Sequence, residues 1–291
     1  IMNMSYFNYP VGLTMTNQKF NQLFGGPPRE PESELTQKEM DIARSIQEVT
    51  EEIVLKMARH VREITKKKYL CLAGGVALNC VSNGKLLRSG LFEDIYIQPA
   101  AGDAGGALGC ALIAWYQYLG NKRNADGEND FMKGAYLGPQ FSNYETKEYL
   151  DKKNYPYEQL NDKNLAEKIA DLIADQKVIG WFQGRMEFGP RALGSRTIIG
   201  DSRFAETQKI INLKIKYRES FRPFAPSVIE EDISKYFDID RPSPYMLLVA
   251  DVNKSKQLKM TDEEEGYFGL RKLNIARSEI PAVTHVDYSA R

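Results

Sequence analysis

Two short apolar runs, each ending in glycine and passing into a helix-patterned segment, lie in succession between Tyr69 and Leu119. Alternation of that kind predicts an α/β fold with a parallel sheet and crossover helices. A second amphipathic segment and apolar run follow Asn143, so the 291 residues read as two domains, 1–140 and 141–291, which suits their length. The 42% hydrophobic and 27% charged content is that of an ordinary globular chain. With 39 basic and 39 acidic side chains the net charge is zero, so composition points to neither disorder nor a nucleic-acid partner.

Residues 1–37, with Gly25, Gly26, Pro27, Pro28 and Pro31, read as a peripheral loop. Thr36 and Glu39 have capping-box spacing and predict a helix from about Lys38 to Lys66. Its stripe of Ile42, Ile46, Val49, Ile53, Met57, Val61 and Ile64 steps by three and four and predicts a core-facing side. Strands are expected at Tyr69–Ala73 and Asp94–Gln98, with helices at Ala77–Ser89 and Ala107–Leu119. Residues 120–130 read as a surface excursion, and a boundary is placed at 131–143. Beyond it come a helix over Leu165–Asp175, a strand over Lys177–Phe182, a helix over Phe204–Ile215 and a strand within Pro242–Val252. The acidic run Asp262–Glu265 reads as a solvated loop.

Three segments carry chemistry. Gly74-Gly75 ends the first strand, with Asn79 one turn on. Such a turn brings backbone N–H groups to an anion, or is a tight turn without a ligand. Gly102-Asp103-Ala104-Gly105-Gly106 ends the second strand, and Asp103 either holds a metal ion that bridges to phosphates or caps the next helix. The third segment runs from Gly184 to Arg196 and on through Lys216, Arg218 and Arg222. Nine basic and four acidic residues lie between Arg185 and Arg222, many beside glycine or proline. Guanidinium forks fixed in rigid turns suit phosphate recognition; a basic patch paired with the acidic loop, or a nucleic-acid backbone contact, are the alternatives. The interleaved aromatics Tyr217, Phe221 and Phe224 could stack a base, with core packing expected for two of the three.

Two histidines cannot build a histidine metal cluster, and neither His60 nor His285 stands out as a general base. Cys71, Cys80 and Cys110 lack metal spacing, read as small buried residues and suit a reducing cytoplasm. No apolar run approaches a membrane span. A chain opening on Ile1 is expected to be a piece of a longer one.

Together these motifs resemble the NodU/CmcH-type carbamoyltransferases, which O-carbamoylate antibiotics and Nod-factor sugars. The Gly184–Arg196 run with Phe221–Val228 carries most of the resemblance; the two glycine turns are shared more widely with ASKHA-type ATPases. The resemblance implies an ASKHA-type lobe over 1–140 and a truncated YrdC-like domain over 141–291. It also implies ATP and carbamoyl phosphate as co-substrates, which react to carbamoyl-adenylate and pyrophosphate. The carbamoyl group would then pass to the hydroxyl of a small molecule at a divalent metal, iron or similar, whose histidine ligands this chain lacks. By position, Arg185, Lys216 and Arg218 match the catalytic contacts. Gly74, Gly75, Asn79, Arg191, Arg196 and Arg222 match the nucleotide and cofactor contacts, and Asp103 matches a metal ligand. Ser289-Ala290-Arg291 resembles the start of a further family motif, with serine where threonine is commoner. The expected partner is the hydroxyl acceptor, with no membrane and no nucleic acid; a homodimer is allowed but not required. An ASKHA-type sugar kinase and a YrdC-like RNA-binding module are the alternatives.

Overall fold

A computed structural model describes residues 3–31 and 33–291, in two units, Ile1–Asp41 and Ile42–Arg291. The first unit is not all loop. Asn17 accepts the N–H groups of Lys19 and Phe20 and so starts a short helix, α1 (Gln18–Leu23). Phe20 stacks on Phe7 and Phe24, with ring centroids 6.0 and 4.5 Å away.

Helix α2 (Gln37–Thr65) begins as expected, with the Glu39 carboxylate reaching back to the Thr36 N–H and hydroxyl at 2.9 and 2.6 Å. Its stripe does not face the core. Ile46, Val49, Ile53, Met57 and Ile64 are exposed, while Glu51 and Ala58 are buried and Val54 and Leu55 half-buried. The reason lies in what α2 packs on. Glu51 pairs with Lys85 at 2.9 Å, and Ala58 is small enough to admit Leu86 and Phe92. Leu86, 1% exposed, contributes on the order of 2 kcal/mol by its burial.

Strands β1 (Tyr69–Leu72) and β2 (Asp94–Ile97) pair in parallel, Tyr69 opposite Asp94, as the alternation predicted. Between them a 3-10 turn (Gly75–Leu78) leads into α3 (Cys80–Arg88). After β2, α4 (Asp103–Ile113) starts four residues earlier than expected and runs through Gly105 and Gly106. A side chain at Gly105 would meet the Ala100 carbonyl at 2.1 Å, so glycine is needed for close packing in the first turn of the helix rather than for a loop. Cys71 and Cys110 are exposed and Cys80 half-buried, against the expectation of buried thiols.

Residues 120–130 form neither helix nor strand. Helix α5 (Asn143–Lys153) was not anticipated, although Ser142 and Glu145 make a full capping box. Helix α6 (Asp162–Ala174) and strand β3 (Ile179–Phe182) lie where expected. Strand β4 (Arg196–Ile199), inside the arginine-rich run, pairs antiparallel with β3. Helix α7 (Glu206–Ile210) passes into a π-helical turn, Ile211–Ile215. After α8 (Ile233–Tyr236) come β5 (Phe237–Asp238), β6 (Ala250–Val252) and, beyond α9 (Asp262–Glu265), β7 (Ser289–Ala290), which form an antiparallel sheet in the order β5-β6-β7. The acidic run is therefore a capped helical turn. The strand pairs of the second half are antiparallel.

The segment before β6 is clamped to the first half of the chain. The buried Asn83 donates to the carbonyls of Ala77 (2.8 Å) and Leu247 (3.0 Å), and Arg88 donates to that of Val249 (3.0 Å). Leu247 joins Ala77, Ile97 and Ala101 in one apolar cluster.

Candidate anion-binding site

The two glycine turns meet at the carboxyl ends of β1 and β2, where open α/β sheets bind ligands. The Gly74 N–H donates to the Ala101 carbonyl at 2.8 Å, and Gly74 has a φ of 99°, open to glycine. Asn79 is already engaged. It accepts the Ser82 N–H at 3.1 Å as the cap of α3, and its amide donates to Gln47 at 2.9 Å. Asp103 is exposed at the first position of α4. Among the described residues, no group of three or more histidine, cysteine, aspartate or glutamate side chains could hold a metal ion. One exposed carboxylate is not a metal site, so the donor set of the described residues does not fit a resident metal.

The Gly184–Arg196 loop is built around Glu187. Its buried carboxylate accepts the N–H groups of Leu193 (2.7 Å), Ser195 (2.8 Å) and Arg196 (3.3 Å), and the Arg196 Nε approaches at 3.3 Å. Burial opposes its ionisation, but the backbone N–H groups of Leu193, Ser195 and Arg196 outweigh it and hold the carboxyl below the usual range. Arg196 also donates to the Gly189 carbonyl at 2.8 Å, and Arg185 to that of Gly138 at 2.8 Å. Both guanidiniums brace the loop. At Gly189, with a φ of 124°, a Cβ would lie 3.2 Å from the Ala100 side chain, so the loop rests against the end of β2.

Arg191 is different. It leaves the loop toward the first glycine turn, 3.4 Å from the Leu78 carbonyl, and its Nε is buried without a partner. The other free cations come from the turn after α7. The π-helical turn buries Asn212 completely, and such turns often mark functional places. Its amide donates to the carbonyls of Ser220 (3.0 Å) and Arg222 (2.8 Å) and accepts from the Arg218 Nε at 2.6 Å. Gln208 donates to the carbonyls of Phe221 and Arg222 at 3.2 and 3.1 Å. Arg218 lies over the Phe224 ring, 4.9 Å from its centroid, while Tyr217 is exposed at a φ of 48°. The sequence reading passed over Asn212 and Gln208, although an amide beside a run of cations was a usable signal.

These cations act on one another. Burial, then the charges of Arg222 and Arg291, push the Arg218 guanidinium down, and burial, then Arg291, do the same to Arg191. Burial and Arg218 push Lys216 down. No ion pair joins any of the five to an acid among the described residues, nor is any paired with the acidic run at 262–265. Arg291 connects the group to a cavity of about 580 Å³, whose walls include Ile199, Ile211, Phe237 and Ala290, with Thr197, Ser227 and Gln208 and the carboxylates Asp201 and Glu230 among its polar positions. Its own Nε is also buried and unpartnered. Buried donors without partners are costly, and a cluster of mutually repelling cations beside a cavity is a place for an anion.

A model described as the carbamoyltransferase N-terminus matches residues 1–112, and one described as the carbamoyltransferase C-terminus matches residues 170–291. The chain belongs to the carbamoyltransferase family. Both glycine turns fall in the first match, and all five cations, Arg191, Lys216, Arg218, Arg222 and Arg291, fall in the second. An uncharacterized Synechocystis protein is 59% identical over 292 residues, covering all of this chain and 47% of its own. The nodulation protein NolO of Bradyrhizobium diazoefficiens is 41% identical over 88% of this chain and 43% of its own. The 3'-hydroxymethylcephem-O-carbamoyltransferase of Amycolatopsis lactamdurans is 32% identical over 79% of this chain and 37% of its own. This chain therefore spans less than half the length of these carbamoyltransferase-family relatives. No helix among its described residues is long and apolar enough to cross a membrane.

Proposed function

We propose that this chain carries the carbamoyl-phosphate and ATP site of an O-carbamoyltransferase that acts on the hydroxyl of a small molecule. The observation that carries the reading is the set of cations without an acidic partner, Arg191, Lys216, Arg218, Arg222 and Arg291, which act on one another's charge and of which Arg291 lines a cavity. The cavity suits a nucleoside and the cations suit the phosphates. The O-carbamoyltransferase named in Amycolatopsis lactamdurans supports the reaction class. The finer architecture stays with the same reading: an ASKHA-type lobe over 1–140 and a YrdC-like domain over 141–291.

In this reading, water releases phosphate from carbamoyl phosphate to leave carbamate. A carbamate oxygen then attacks the α-phosphorus of ATP, giving carbamoyl-adenylate and pyrophosphate. Arg218, held flat by Asn212 and Phe224, offers a fixed fork to the transferring phosphoryl oxygens. Lys216 and Arg222 offset the charge of two anionic reactants, and the cavity holds them together. Gly74 and Gly75 present backbone beside Arg191. Arg185, Arg196 and Asn79 act on the frame, and Asp103 offers at most one ligand to a metal.

Calorimetric titration with ATP, with and without carbamoyl phosphate, at two salt concentrations tests the reading. The expected result is saturable ATP binding that strengthens with carbamoyl phosphate and weakens with salt. ATP binding indifferent to carbamoyl phosphate would overturn the assignment.

A further inference from the structure

Gln208 belongs to α7 and to the wall of the cavity, and it is only 7% exposed. Its Nε2 lies 3.2 and 3.1 Å from the carbonyl oxygens of Phe221 and Arg222. A primary amide has two N–H donors on its nitrogen and an acceptor on its oxygen. Between two carbonyls both donors are spent, and a flipped amide would set its oxygen against two other oxygens. Oε1 is therefore locked as an acceptor. Among the described residues no hydrogen bond ends on it, yet it is not one of the polar atoms sealed from solvent without a partner. In a residue this buried, the space on which Oε1 opens is the cavity that Gln208 borders.

The rest of the wall makes this acceptor distinctive. Thr197, Thr207 and Ser227 bring hydroxyls, which rotate to donate or to accept. The Asp201 carboxylate is occupied by Arg203 at 2.6 Å, Glu230 is exposed, and Arg291 can only donate. Ile211, three residues after Gln208, is apolar wall, and so is Phe224, whose ring lies beneath Arg218. The cavity thus joins apolar surface, a cation and one acceptor of fixed polarity. A nucleotide's ribose hydroxyls can pair with hydroxyls that rotate. The amino group of adenine only donates, and it needs an acceptor that stays one.

We propose that Gln208 is a specificity residue of the cavity, whose Oε1 accepts the 6-amino group of adenine. This rests on the ATP reading above and names how the base is chosen. A site built to bond an N–H rejects the analogue that lacks it, because the buried acceptor is then left unpaired.

The test titrates the protein with ATP and with purine riboside triphosphate, the same nucleotide with hydrogen in place of the 6-amino group. The wild type should bind ATP roughly tenfold more tightly, the value of one hydrogen bond. In Gln208→Met the turn at 221–222 loses its two donors, so both ligands should weaken, and the ratio between them should fall to about one. Equal binding of the two ligands by the wild type, or a variant that keeps the full ratio, overturns the proposal and leaves the ATP site standing. A wild type that binds neither nucleotide removes both readings. If the variant fails to fold, the wild type decides with two further nucleotides. 2-Aminopurine riboside triphosphate, whose amino group sits elsewhere on the ring, should bind no better than purine riboside triphosphate, and 2′-deoxy-ATP should bind as ATP does. ATP-like binding of the first, or a tenfold loss with the second alone, overturns the proposal.

Discussion

Arg196 and Arg218 lie in one cation-rich stretch, and the protein uses them in opposite ways. Arg196 is spent on the Glu187 carboxylate and the Gly189 carbonyl. Arg218 has one neutral amide and one aromatic face for company, and like charges around it. The first kind of arginine builds the loop; the second stores unfavourable charge that an incoming anion relieves. A count of basic residues cannot tell them apart, whereas the location of the nearest carboxylate can.

The largest effect that sharpens this contrast is expected at the centre of the built loop. Glu187→Ala leaves three backbone N–H groups and Arg196 without their acceptor and should cost about 3 kcal/mol, read by urea unfolding. Glu187 also sets a pH dependence. Its folded pKa lies below the ordinary value, so its contribution is present above the unfolded pKa and is lost as pH falls through the folded one. Glu187→Gln should flatten that acid limb. A variant with wild-type acid sensitivity would break the argument.

Next comes the free arginine. Arg218→Ala should reduce carbamoyl-phosphate-dependent pyrophosphate release from ATP in the full-length enzyme by roughly 100-fold, since a preorganised charge contact is lost. Stability should stay near wild type. Loss of stability without loss of pyrophosphate release would place Arg218 with the builders. Arg196→Ala is the matched control, expected to cost about 1 kcal/mol of stability by unpairing the Glu187 carboxylate and the Gly189 carbonyl.

Much of this was legible in residues alone, and the failures have physical causes. The parallel β1–β2 pair and the meeting of its two glycine turns follow from apolar runs that end in glycine. The α2 stripe misled because amphipathicity shows that a helix has two faces but not which one a neighbour covers; a small Ala58 and a charged Glu51 took the inner side. β4 was hidden because its first residue, Arg196, reads as part of a basic motif. Gln208 was passed over because its meaning depends on the Phe221 and Arg222 carbonyls closing on its amide, a contact that composition does not announce.

The smallest predicted effect is the most discriminating, because its sign is unusual. Lys216 is pushed down by burial and by Arg218, so its protonated form is disfavoured in the folded state. Lys216→Met should therefore stabilise the unliganded protein, by at most a few tenths of a kcal/mol given how far solvent screens the site. The gain should be present at neutral pH, where lysine is charged both folded and unfolded, and should vanish as pH rises past its ordinary value and both states lose the proton. The same substitution should weaken ATP binding. Thermal unfolding across this pH range, with and without ATP, reads both. A small gain without nucleotide and a loss with it identify a cation held for a ligand, whereas destabilisation in both conditions would mean that Lys216, like Arg196, holds the fold together.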